Sequence, residues 1–413
     1  MGFSLGVELT VGKRYAILFL MRSVSLTPLC EWAVLLLVAF SILWKGGKSL
    51  EATWILAVVA GVVTLVSWWE RRKRMTNGQL PVANEMQIDD RSIHPLLWWS
   101  LIVFIAWSVL SYIFSSTKNY GFDEILRDVS LVLLFLWIVR QKTHWQLAIG
   151  KWQFLDVLVW STLAACLIGI IVYSLQPVNR FVGTFFDYRF DTDYWPNAFA
   201  EYILLAWPLA MLWLVMRRTR VGWFVGLLVN GFVIGCLLLS YSRGAWIAFS
   251  GQVILLGIFS VLSLKKEGEG LVIRAKRIVG PIIVVAIFAL LTFFAVNILR
   301  AQFHPVQSVT EKITFTASEG SSSFTERRDF WKQALTLSLK HPLLGWGPYS
   351  FRFVQPRLQT SVLSTSDHPH NVFLKLAMER GWPAAIFLGF IVVYILYGAA
   401  KPFIRLLVYS KKI

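Results

Sequence analysis

The chain has 413 residues, 56% of them hydrophobic, with a mean hydropathy of +0.61 and a formal net charge of +17. That apolar fraction excludes an ordinary soluble domain. The charge falls in clusters at alternate ends of apolar runs, a placement that excludes a nucleic-acid partner and points to membrane lipids.

Runs long enough to cross a bilayer core, about 17–22 residues, are expected near 24–44, 53–69, 96–114, 124–139, 154–175, 199–216, 222–240, 245–264, 278–298 and 382–400. The sequence therefore predicts an all-α, polytopic membrane bundle of about ten spans with a helical extracytoplasmic subdomain. The run at 124–139 is the weakest, because Arg127 and Asp128 lie in its first turn. Basic clusters follow in order: Lys13, Arg14 and Arg22; Arg71, Arg72, Lys73 and Arg74; Arg140 and Lys142; Arg217, Arg218 and Arg220; Lys265, Lys266, Arg274, Lys276 and Arg277; Lys401, Arg405, Lys411 and Lys412. The loops between them are poorer in Lys and Arg, which places both termini in the cytoplasm. The first apolar run has no small-residue cleavage site, so no cleaved leader is expected. Cys30, Cys166 and Cys236 all fall within spans, and the long outer segment has no cysteine to staple it. The expected organisation is a transmembrane bundle over 1–299 with an outer loop at 176–201, an extracytoplasmic loop and histidine helix over 300–381, and a last span with a basic tail over 382–413.

Three outer segments carry candidate chemistry. In the first, Arg180 is a candidate phosphate ligand, with Asn197 near the start of the next span. Asp191-Thr192-Asp193 is a candidate acidic metal pair, though two carboxylates alone are a weak metal signal and read first as solvated loop charges. In the second, the tight turn Ser240-Tyr241-Ser242-Arg243-Gly244 sets an arginine at a span end. Charge there is costly unless paired or hydrated, and a guanidinium holds phosphate through two parallel hydrogen bonds. Alone, Arg243 is equally a snorkelling cation. In the third, Ser323-Phe324-Thr325-Glu326 reads as a capping box for an amphipathic helix that stops at His341-Pro342. The preceding Ser318–Ser323 reads as a flexible loop. Arg327 and Arg328 on that helix are surface cations or ligands. Gly345-Trp346-Gly347-Pro348 is turn-rich and suits close approach of backbone to a ligand.

Asp367-His368-Pro369-His370-Asn371 closes the third segment. If a helix starts near Pro369, His370 lies in its first turn on the face of Leu374, Ala377 and Gly381, with Lys375 and Glu379 opposite. The positive helix end disfavours a second proton on the ring, which keeps it a base. Read alone, His370 is as well explained as a packing histidine. Grouped with arginines on one side of a bundle, it suits an anionic, membrane-tethered substrate with a phosphate leaving group.

These residues resemble the O-antigen ligase and polymerase superfamily of bacterial membrane glycosyltransferases. His370-Asn371, Leu374 and Gly381 are similar to its H-[NSQ]-x-x-L-x6-G signature, and Ser242-Arg243-Gly244 is similar to its Ser-Arg-Gly turn. Arg180 through Gly183-Thr184-Phe185 to Pro196-Asn197 resembles its "R…GTF…PN" loop, with Phe186 to Trp195 as an acidic, aromatic insertion. Arg328, Trp331, Pro342 and Gly345-Trp346-Gly347-Pro348 resemble the segment before the histidine. The likeness covers roughly 175–395. It implies transfer of a glycan from an undecaprenyl-diphosphate carrier to an acceptor hydroxyl on a glycan, lipid or protein, at the outer face of the bacterial cytoplasmic membrane. It implies Arg180 and Arg243 as diphosphate ligands, His370 as the catalytic base, and Asn371, Arg328 and Asn197 in support. Neither a metal nor another cofactor is expected, and the reaction inverts the anomeric centre. Two other classes fit the composition. A transporter is disfavoured by spans nearly free of ionisable residues and by the absence of a repeat. A metal-dependent polyprenyl-phosphate-sugar glycosyltransferase would rest on Asp191 and Asp193.

Overall fold

The computed structural model describes residues 26–76, 95–115, 118–140, 151–187, 194–216, 219–264, 271–314, 318–358 and 366–410. Among these the architecture is helical, with one isolated antiparallel bridge between Phe186 and Tyr194. Long helices occupy each expected span: α1 (Thr27–Leu43), α2 (Leu50–Thr76), α3 (Pro95–Ile113), α4 (Lys118–Arg140), α5 (Lys151–Leu175), α6 (Pro196–Val215), α7 (Arg220–Leu239), α8 (Arg243–Leu264) and α9 (Leu271–Ala301) precede the long segment. That segment holds α10 (Val309–Thr314), α11 (Ser318–Lys340), α12 (Phe351–Val354) with a 3-10 turn after it, and α13 (Val372–Arg380); α14 (Trp382–Ser410) follows. Stretches of α2, α3, α5, α6, α7 and α9 are long and apolar enough to cross a membrane, and α1, α8 and α14 hold shorter apolar stretches. Among the described residues α4 is in neither group, consistent with the charges in its first half. Lys13, Arg14, Arg22, Lys142, Arg217, Arg218, Lys265, Lys266, Lys411, Lys412, Asp191 and Asp193 lie outside the described residues.

Consecutive helices alternate in direction, so the ends of α1, α3, α5, α7 and α9 meet the starts of α2, α4, α6, α8 and α14. Hydrogen bonds across that end fix the arrangement. Thr184 Oγ1 donates to Ile42 O at 2.6 Å, and Phe181 N–H donates to Leu239 O at 3.0 Å. Arg300, in the last turn of α9, donates from Nε to Pro305 O at 3.0 Å and from Nη1 to Tyr173 O, a carbonyl that the end of α5 leaves open. The described cations Arg71, Arg72, Lys73, Arg140, Arg220 and Lys401 belong to the opposite end of the same helices.

Close packing sets the distances between helices. Gly231 and Gly235 on α7 face α9, where an added Cβ would come within 2.4 Å of Phe288 and 2.6 Å of Thr292. Small residues four apart let two apolar helices approach where lipid offers no competing hydrophobic drive. A second core forms where Phe330, Ala334 and Leu337 of α11 meet Phe351, Val354 and Met378.

Three expectations are corrected. First, α11 runs from Ser318, so the stretch read as a flexible loop forms its first turns. A serine costs only about 0.5 kcal/mol in a helix, which the packing of Phe330, Ala334 and Leu337 outweighs. Second, α13 starts at Val372 rather than near Pro369. Asn371 is its N-cap, its Oδ1 accepting from Phe373 N at 3.0 Å and Leu374 N at 3.2 Å. His370 therefore precedes the helix and shares no face with Leu374 and Ala377; its φ of +53° turns the chain before the cap. Third, the Gly345-Trp346-Gly347 run approaches protein backbone. Trp346 N–H donates to Met378 O at 3.0 Å and Gly347 N–H to Glu379 O at 2.7 Å, so the run caps the C-terminus of α13. Trp382 N–H returns a bond to Pro342 O at 2.8 Å, and Ser111 Oγ of α3 donates to Leu344 O at 2.6 Å.

Gly381 sits at the crux of this cap, with φ +86° and space for an added Cβ only 1.8 Å from Leu343 O. Gly381→Ala is expected to destabilise by on the order of 2–4 kcal/mol, read as a lower thermal midpoint in detergent. Gly61→Ala, with nothing within 4 Å, is the control, and an equal midpoint for the two variants would refute the cap.

Candidate active site

A cavity of about 1440 Å³ opens where the helix ends converge. Arg180, Asn197, Arg243, His370 and Asn371 all line it, although they are far apart in the sequence. Arg328 does not belong to its lining; the neighbouring Arg327 does.

The arginine side is built by two short segments bolted together. Arg180 Nε donates to Ser240 O at 2.8 Å and Nη2 to Asn197 Oδ1 at 2.6 Å, tying the 176–195 loop to the Ser-Arg-Gly turn and to the start of α6. The described part of the loop is packed: Phe181, Val182, Thr184 and Phe185 are buried, and the Phe185 carbonyl accepts from Trp195 N–H at 3.0 Å. Buried Lys45 and Asp187 pair at 2.9 Å across the same loop. The turn is held from beneath by Tyr241, whose φ is +48° and whose hydroxyl accepts from Asn297 Nδ2 at 3.1 Å. Tyr173 in turn donates to Asn297 Oδ1 at 3.0 Å. Arg243 thus opens α8, where the positive helix end adds to its own charge.

The histidine side is built by α13 and the residues before it. The rings of His368 and His370 lie 4.7 Å apart, and Phe330 is 6.4 Å from His370. Both imidazoles line the cavity, whose walls take part of each ring out of water. This partial desolvation, with Arg327 adding to it and Glu326 opposing, lowers the His370 pKa from its ordinary 6.5. Desolvation and the neighbouring His370 and Lys375 push His368 down to about 4. Neutral imidazoles are the outcome near pH 7, as a base requires.

Behind the histidines lies a feature invisible in the sequence. Arg380, 3% exposed, donates to Asp128 at 2.5 Å, to Ser108 at 3.1 Å and to Glu124 at 3.3 Å. Lys375 contacts Glu124 at 2.5 Å and Glu379 at 3.7 Å. Three carboxylates meet two cations. Glu379 is fully buried, its Oε1 accepting from Phe351 N–H at 3.3 Å, and burial pushes its pKa up to about 7 against the pull of Lys375. With a proton on Glu379, the other two carboxylates match the two cations. Lys375 and Glu124 also line the cavity, as do Lys48, Arg127 and Lys312. Sequence reading did not bring these residues together, because their partners come from distant helices. His368 was in view beside His370, and its nearness in the chain was the signal. Among the described residues no group of three or more His, Cys, Asp or Glu is placed to hold a metal ion.

The family model described as O-antigen ligase matches residues 228–389. This stretch holds Arg243, the third outer segment and the histidine helix, while Arg180 and Asn197 lie before it. No curated protein and no solved structure matches the chain. Over that matched stretch the chain is similar to O-antigen ligases, which supports a ligase- or polymerase-type role in glycan assembly, and its apolar helices support a multi-pass membrane protein.

Folded Glu379 holds a proton between its ordinary 4.5 and about 7 that the unfolded chain does not. Stability from this site is thus present below 4.5 and is lost as pH rises through 7. Glu379→Gln, which mimics the protonated acid, is expected to flatten that dependence and to match or exceed wild type at pH 8. Glu379→Ala is expected to melt lower at every pH. A Glu379→Gln midpoint that tracked wild type from pH 5 to 8 would refute the buried proton.

Proposed function

We propose that the protein transfers a glycan from a polyprenyl (undecaprenyl) diphosphate carrier to an acceptor hydroxyl, as a metal-independent, inverting glycosyltransferase at the outer face of the bacterial cytoplasmic membrane. The observation that carries this is the single cavity lined by Arg180, Arg243 and His370. In this reading His370 accepts the acceptor's hydroxyl proton as that oxygen attacks the anomeric carbon. The bond from that carbon to the diphosphate oxygen breaks, and its electron pair leaves on the polyprenyl diphosphate. Negative charge grows on the leaving group, and guanidinium groups already fixed at the site stabilise it without reorganisation. Arg180, anchored through Ser240 and Asn197, and Arg243, at the positive end of α8, fill that role in place of a divalent cation. One displacement inverts the anomeric centre. Asn371 supports the base by capping the helix behind it, Asn197 supports Arg180, and Arg327 replaces Arg328 as the cation of α11 nearest the chemistry. The cationic helix ends away from the cavity would face the cytoplasm, which sets the cavity outside. The acceptor is a lipid core for a ligase or a growing repeat chain for a polymerase, and the transporter reading has no such constellation to explain.

The test is glycan transfer in EDTA-treated membranes supplied with lipid-linked glycan, the products resolved by size. Wild type is expected to retain activity. His370→Ala and Arg243→Ala are expected to lose about 10²–10³-fold in turnover. Equal transfer by wild type and His370→Ala would remove the base, and loss with EDTA would return the metal-dependent reading. The acid limb of the pH–rate profile is expected to have its midpoint below 6.5, since only neutral His370 accepts a proton. A midpoint above 6.5 would contradict the site's electrostatics.

A further inference from the structure

Accepting His370 as the base, on which this inference rests, the hydrogen bonds around it identify which ring nitrogen does the work. We infer that His370 acts through Nδ1, its Nε2–H being held by the hydroxyl of Ser366, which makes Ser366 a positioning residue for the reaction.

The argument is a count of protons. Ser366 Oγ lies 2.7 Å from the carbonyl oxygen of His368. A carbonyl only accepts, so the single hydroxyl proton of Ser366 is spent there. Two lone pairs remain on Oγ. One faces His368 N–H at 3.4 Å, and the other faces His370 Nε2 at 3.3 Å. An oxygen whose proton is already used can meet Nε2 only as an acceptor, so Nε2 carries a hydrogen. A neutral imidazole has one N–H, so Nδ1 carries the lone pair. Every donor and acceptor of the Ser366 hydroxyl is then in use, and the tautomer is fixed by backbone geometry rather than by a carboxylate.

The local backbone is shaped for this. His370 takes φ +53°, an arrangement that costs a non-glycine residue about 1–2 kcal/mol. Strain of that size persists where the surroundings over-determine it, often at functional sites. Here it folds the 366–370 segment back so that the hydroxyl of residue 366 reaches the ring of residue 370. The segment is pinned on its flank by the Arg352–Asp367 pair at 3.4 Å and at its end by the Asn371 cap. In the transfer step the acceptor O–H bond breaks, its proton forms Nδ1–H, and the oxygen's electron pair forms the new bond to the anomeric carbon. The resulting imidazolium keeps Nε2–H on Ser366.

The test encodes Nδ1-methylhistidine or Nε2-methylhistidine at position 370 of the full chain. Transfer is measured with undecaprenyl-diphosphate-linked glycan extracted from the cell that makes the protein, with that cell's membranes as acceptor. Nδ1-methylation is expected to remove at least about 100-fold of turnover. Nε2-methylation and Ser366→Ala, which only loosen the ring, are expected to cost less, about 10–100-fold. Ser366→Thr should restore the rate, and the donor KM should stay unchanged throughout. An active Nδ1-methyl protein beside an inactive Nε2-methyl protein would overturn the inference while leaving His370 as the base. Activity in every variant, His370→Ala included, would instead sink the functional reading. A 15N spectrum of the histidine-labelled protein, with His370→Gln for assignment, reads the tautomer without any turnover. Nε2–H in wild type that becomes mixed in Ser366→Ala supports the inference, and Nδ1–H in wild type overturns it even if both methylated proteins are inactive.

Discussion

The buried Arg380 guanidinium fixes where the histidine stands, and most of the site depends on it. It ends α13 in contact with Asp128 and Glu124 of α4 and Ser108 of α3. Breaking such a pair would leave an uncompensated buried charge at a cost of about 3–5 kcal/mol, so α13 has one permitted seat. The Trp346 and Gly347 amides close the last carbonyls of the same helix. A nine-residue helix is too short to hold itself in water. Ions on one side and backbone caps at its end hold this one, and its N-terminus is thereby aimed at the cavity.

The opposing wall is held by different means. Arg180 and Arg243 come from segments sixty residues apart, joined by the bond from Arg180 to Ser240 O and by aromatic packing under the 176–195 loop. The histidine is thus placed by buried electrostatics, the arginine wall by hydrogen bonds and packed rings, and both line the one cavity. In the proposed reaction a diphosphate and a bulky acceptor would share this cavity of about 1440 Å³, bound between walls with separate supports.

The helix bundle was legible from hydropathy, since each expected run coincides with a long helix. The residues that converge on the cavity were legible as well, because arginine at a span end and histidine beside a membrane are costly enough to be conspicuous. Two readings failed for one reason. His370 was assigned to a helix face from proline's preference for a first turn, but the Asn371 side chain competes more strongly for the cap. The glycine run was read as a ligand loop, but its amides meet the carbonyls of α13. In both cases a local preference was read correctly and its partner, supplied by another part of the chain, was not in view.

The sequence by itself determined the membrane class, the alternation of helix directions and the candidate side chains that meet in the cavity, because hydrophobic length, charge asymmetry and residue chemistry are properties of short windows. Only the tertiary structure decided that Arg327 rather than Arg328 faces the cavity, that Glu124, Asp128, Lys375, Glu379 and Arg380 form one buried cluster, and that Ser366 meets His370. Those contacts depend on rotations of about 100° per residue along a helix and on approaches between segments up to 272 residues apart, and no local pattern encodes either.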